Sequence, residues 1–118
     1  MIESFYHAFH GIWIGLRHER NLRIHFLAAV AVIGLGLWLK LDSTSWVLLA
    51  FAIGAVITCE LFNSSLEHLV DISADKEYHE SARYAKDTAA AAVLCASVMS
   101  VVVGLLVLGP RLLATLAK

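Results

Sequence analysis

TAAAAVLCASVMSVVVGLLVLG, residues 88–109, runs without one formal charge and closes on Pro110 and Arg111. A hydrocarbon core of ~30 Å takes roughly 20 helical residues, so this run alone crosses a bilayer as a helix. Two further runs precede it. Residues 22–41 read LRIHFLAAVAVIGLGLWLKL, uncharged from Ile24 to Leu39, and residues 45–70 open as SWVLLAFAIGAVITC and continue with polar insertions. Three crossings in 118 residues leave no room for a soluble domain. Composition agrees: the chain is 59% hydrophobic and 16% charged, where a soluble domain sits near 45–50% and about 25%. Its mean hydropathy is +0.74. A disordered chain is excluded, and a net charge of −1 offers no electrostatic footprint for nucleic acid. Cys59 and Cys95 both lie inside apolar runs and form no secreted disulfide framework.

The expected fold is all-α and integral to a membrane: one domain over residues 1–118, with a surface helix over about 1–18 and spans over about 22–41, 45–70 and 86–109. In the surface segment Phe5, Phe9, Ile12, Trp13 and Leu16 recur at helical spacing, with Glu3, His7, His10 and Arg17 between them. Such a helix lies in the interface with its aromatic side in the acyl boundary. The opening MIESFYHAFH lacks the basic, apolar, small-residue order of a cleavable signal. With three spans, the N-terminal segment and residues 71–87 share a side. That side holds Arg17, Arg20, Arg23, Lys76, Arg83 and Lys86, six of the nine cationic residues. The positive-inside rule therefore faces it to the cytoplasm.

The acids are more lopsided still, since all but Asp42 fall on the cytoplasmic half or the inner part of the second span. In CELFNSSLEHLVD, Glu60, Asn63, Glu67 and Asp71 follow at spacings of three, four and four, which stacks them on one helix face. Glu60 lies roughly 10 Å deeper than Glu67 along the axis. A carboxylate within a span costs ~2.5–3.5 kcal/mol on insertion scales. It is kept either as an assembly-locking partner of Arg or Asn on a neighbouring helix, or to reach something that lives in the membrane. Glu19, just before the first span, shares the inner interface with Glu67, and two carboxylates at one depth repel unless a cation lies between them. Mg²⁺ is typically held by one or two carboxylates together with substrate phosphates. Lys86 and Asp87 stand at the foot of the third span. A lysine, a carboxylate pair for Mg²⁺ and a deeper carboxylate are the parts of phosphoryl transfer. There is no GxxxxGK[ST] phosphate loop and no HExxH zinc motif. His25 near the interface and His68 on the helix read as satisfied polar groups rather than ligands.

ERNLRIH at 19–25, ELFNSSLEHLVD at 60–71, EYHESARYAKD at 77–87 and the alanine-rich third span resemble the small bacterial diacylglycerol kinase and undecaprenol kinase family. The resemblance covers nearly the whole chain. It implies a homotrimer of three-span subunits that moves the γ-phosphate of ATP to a lipid hydroxyl at the cytoplasmic face of the inner membrane. By motif match Glu60 is the general base, and Glu19 and Glu67 hold Mg²⁺. Glu19, Glu67, Glu77, Tyr78, His79, Lys86 and Asp87 fall at nucleotide positions, while Asn63, Asn21, Arg23 and Asp71 give polar support or touch substrate. ERNLRIH looks closer to the branch acting on undecaprenol, with diacylglycerol as the alternative lipid. The stretch from Asp71 to Glu77 is one residue longer than the common family pattern. A proton-relay or transporter subunit is the more distant alternative, explaining deep acids but neither Glu19 nor the EYH and AKD clusters.

In the third span Ala92, Ala96, Ser100 and Gly104 repeat every four residues. Small-residue stripes let helix backbones approach closely. This one suits a contact within the chain or one between subunits.

Overall fold

The computed structural model describes residues 1–74 and 79–118, and among these the chain is helical, with no strand. Four helices follow in order: α1 (Ile2–His18), α2 (Arg20–Trp38), α3 (Ser43–Ser73) and α4 (Glu80–Leu116). The last three are long and apolar enough to cross a membrane. Most of their large apolar side chains are exposed, among them Leu27, Val30, Phe51, Leu94, Leu105 and Leu106. A soluble monomer rarely leaves so much apolar surface to water. Lipid is the solvent this surface fits.

A single residue separates α1 from α2. Glu19 is extended (φ −105°, ψ 112°), closing α1 through its N–H to the Gly15 carbonyl and opening α2 at once. Helix ends leave carbonyls without partners. Here Arg23 supplies them, its Nη1 donating to the carbonyls of Leu16 at 3.1 Å and Arg17 at 2.8 Å. The corner is tight because Gly15 faces Leu22, which is wholly buried. A Cβ at Gly15 would stand 2.6 Å from Leu22 Cδ2. The outer stripe of α1 keeps Phe5, Phe9 and Trp13 exposed, and Arg17 stacks its guanidinium over the Trp13 ring at 5.2 Å. This is the amphipathic surface helix expected from the spacing.

At the opposite end α2 stops at Trp38, before its apolar run is exhausted. The Lys40 N–H bonds the Leu37 carbonyl and the Leu41 N–H the Gly36 carbonyl, the paired bonds of a Schellman end. Lys40 takes the left-handed position with φ 54°, where a side chain costs roughly 1–2 kcal/mol. Part of that cost is offset because a glycine would loosen the unfolded chain. Lys40→Gly is therefore expected to stabilise the protein by about 0.5–1 kcal/mol, seen as a raised melting temperature in detergent micelles. An unchanged or lower value would show the turn to be unstrained. Beyond it Asp42 precedes α3, and the Ser45 hydroxyl donates to its Oδ1 at 2.6 Å. That hydrogen bond holds the Asp42 carboxyl below its ordinary value.

Pro110 does not end the last span as its sequence suggested, for α4 continues through it to Leu116. Proline gives no N–H to the carbonyl four residues back, a loss that membrane helices tolerate when neighbours support them. The support is visible. Leu112 packs on the buried cluster of Leu39, Leu41 and Leu49, and Arg111 Nη2 donates to the Lys40 carbonyl at 2.9 Å.

Helix α4 lies mainly along α3, and α2 touches α3 much less. The small-residue stripe serves the first of these seams. Ala96 is buried, and the Ser100 hydroxyl donates to the Ala52 carbonyl across it at 2.9 Å. Ala92 is exposed. Between α2 and α4, floored by α3, runs an apolar groove of about 470 Å³. Leu35 and Leu112 line it toward the Schellman end, and His25 lines it toward the opposite end.

Candidate functional site

Helix α3 carries Glu60, Asn63, Glu67 and Asp71 down successive turns, as their spacing requires, and three other parts of the fold meet that face. Glu60 is the deepest of the four and only 3% exposed. Its Oε1 lies 3.3 Å from His25 Nε2 on α2. Asn63 and Glu67 join one turn further out, the Asn63 amide nitrogen donating to Glu67 Oε1 at 3.5 Å. Asn63 Oδ1 is buried without a hydrogen-bond partner among the described residues. Near the end of α3 the carboxylate of Asp71 pairs with Lys86 of α4.

Glu19 is brought to the same end of α3, where its Oε1 lies 3.5 Å from His68 Nε2. Among the described residues its side-chain partner is thus His68, the residue after Glu67. Among the described residues no three His, Cys, Asp or Glu side chains converge on a single point. Asp87 turns to its own helix, pairing with Arg83 at 3.5 Å. His79 stands at the N-terminal boundary of α4 and makes no side-chain cap. Asn21 is exposed on the first turn of α2. Arg23 is occupied in closing α1. Glu77 and Tyr78 lie outside the described residues.

The partner of Glu60 is a histidine, where an arginine or asparagine was the expected structural partner. Depth is the signal that points to it. His25 lies six residues beyond Glu19, about 9 Å along α2, and Glu60 seven residues beyond Glu67, about 10 Å along α3. Since Glu19 and Glu67 share an end of the bundle, His25 and Glu60 come level. The arrangement as a whole is a buried acid beside His25, which lines one end of an apolar groove, with a ladder of oxygen donors leading from it to the bundle's polar end. A lipid chain suits the groove, and a polar, charged co-substrate suits the ladder.

The comparisons with known proteins bear on this geometry directly. The model of the prokaryotic diacylglycerol kinase family matches residues 6–108. The chain belongs to that family. It is thus a multi-pass membrane enzyme, a lipid kinase whose phosphate donor is ATP. The kinase is similar to an undecaprenol kinase from Bacillus subtilis (strain 168), with 42% identity over 93% of this chain and 89% of the relative. It is 40% identical to a diacylglycerol kinase from Synechocystis over 97% of this chain, although that longer relative is covered for only 65% of its length. A diacylglycerol kinase from Escherichia coli (strain K12) shares 35% identity over 76% of each chain. The family match takes in α2 and α3 whole and α4 as far as Leu108, so the acid ladder falls inside it.

Proposed function

We propose that this kinase phosphorylates undecaprenol to undecaprenyl phosphate at the cytoplasmic face of the inner membrane, with Mg²⁺ and as a homotrimer. The observation that carries the site is Glu60, an acid buried in an apolar helix where a groove fit for a lipid chain reaches the polar ladder. The choice of lipid is supported by the 42% identity with the undecaprenol kinase across nearly the full length of both chains. Diacylglycerol is the second reading, favoured by the Synechocystis relative at 40%.

Glu60 acts as general base. Its carboxylate takes the proton of the lipid hydroxyl, whose oxygen forms a bond to the γ-phosphorus while the bond to the leaving ADP oxygen breaks. Lys86, held at the foot of α4 by Asp71, offsets phosphate charge as a point cation. The donor set fits a hard divalent ion: Glu19 and Glu67 offer carboxylate oxygens, and Asn63 Oδ1 is a buried acceptor with no partner among the described residues. Two protein carboxylates suffice because Mg²⁺ keeps waters and substrate phosphates as its other ligands. Those side chains would hold Mg²⁺, whose charge would offset that of the β- and γ-phosphates. Six of the nine cations on the N-terminal side support a cytoplasmic site, where ATP is found. Trimerisation follows the family resemblance and would cover part of the apolar surface that one chain leaves bare.

The test is transfer from γ-labelled ATP by the purified kinase in mixed micelles, with each lipid offered separately. Faster labelling of undecaprenol is expected, abolished by chelation and restored by Mg²⁺. Faster labelling of diacylglycerol would reverse the choice of lipid, and labelling of neither would sink the kinase chemistry proposed for these residues.

A further inference from the structure

The motif that makes Glu60 the base leaves His25 without a task, although the imidazole meets the carboxylate at 3.3 Å. We propose that His25 is a positioning residue for Glu60, fixing the carboxylate beside the end of the apolar groove that the imidazole lines. This rests on the reading of Glu60 as the base.

Three observations converge on it. First, the Glu60 carboxylate is out of reach of water, and among the described residues His25 is the one side chain with which it forms an ion pair or hydrogen bond. An ionised carboxylate has acceptors only. To hold such a base, the imidazole has to present an N–H from the ring nitrogen that faces it, Nε2, 3.3 Å away. Second, His25 belongs to the lining of the groove, where nearly every other member is apolar. A hydroxyl brought in on an apolar chain along that groove meets His25, with the Glu60 carboxylate 3.3 Å beyond it. Third, the two residues come from different helices, with α2 supplying the imidazole and α3 the acid. A glutamate has three side-chain torsions to settle, and one contact from a second helix selects among its rotamers before substrate arrives. Misplacing a reacting group by about 1 Å costs on the order of 100-fold in rate.

Two measurements on the intact chain in lipid test the assignment. In steady-state kinetics, His25→Phe keeps the ring and removes its nitrogens. Its kcat is expected to fall on the order of 10- to 100-fold, with KM for ATP unchanged. His25→Gln returns a nitrogen donor at similar reach and should recover most of that loss. Wild-type turnover in the phenylalanine variant, or a glutamine variant no better than it, overturns the proposal. Should His25→Phe fail to fold, the glutamine variant and the second measurement still decide. That second measurement is the ¹⁵N imidazole spectrum of His25 with Glu60 intact and as Glu60→Gln. A displaced Nε2 resonance is expected, and an unmoved one overturns the pairing whether or not the chain transfers phosphate. A wild-type chain that shows the pairing yet labels no lipid defeats Glu60 as base and leaves the contact standing.

Discussion

Glu60→Gln is expected to lower phosphoryl transfer by between about 10² and 10⁴-fold while leaving nucleotide binding largely intact. The substitution is nearly isosteric. Glutamine keeps an oxygen toward His25 and a similar volume in a site only 3% exposed, so neither packing nor helix position has reason to change. What it lacks is a lone pair basic enough to take the hydroxyl proton. The ladder that meets ATP lies about 10 Å away along α3, too far for loss of one deep charge to disturb it. Single-turnover transfer and equilibrium nucleotide binding, measured on one preparation, separate the two effects. Retained turnover would remove Glu60 from its role, and loss of both would make it a structural acid.

Glu67→Gln is expected to act on the other half of the chemistry. Here the predicted change is in the Mg²⁺ requirement: half-maximal activity should need at least about 100-fold more Mg²⁺, the upper figure for losing even an outer partner of a metal ligand. Glu67 is partly exposed, and among the described residues its one hydrogen bond comes from Asn63, which the glutamine oxygen can still accept. Stability should therefore barely move. Titrating Mg²⁺ at fixed ATP, with lipid in excess, reads the effect directly. A parallel fall in rate at every Mg²⁺ concentration would instead place Glu67 away from the ion.

Much of this was legible before any coordinates. The three apolar runs and the amphipathic start lead to the four helices because length, charge and period each act locally along a chain. The ladder on α3 was legible for the same reason, since residues three and four apart share a helix face whatever surrounds them. The failures lie between elements. Pro110 marks a helix end only while nothing beyond it packs, and Leu112 and Arg111 do pack. That Arg23 also caps the end of α1 shows only once the chain turns at Glu19 and leaves two carbonyls within its reach. The pairing of Glu60 with His25, and of Glu19 with His68 rather than across to Glu67, depends on how helices are rotated about their axes. Sequence spacing carries no record of that rotation.

The unequal seams give the molecule a grain. Helix α4 is fastened along α3, while α2 leans on it lightly, and the two histidine–carboxylate contacts of the site cross the lighter side. Glu19 and His25 travel with the α1–α2 half; Glu60, Glu67 and His68 stay with the α3–α4 half. Both pairs therefore stand or fall together: any change in how the α1–α2 half sits on α3 would move the imidazole from the acid and Glu19 from His68 in one step.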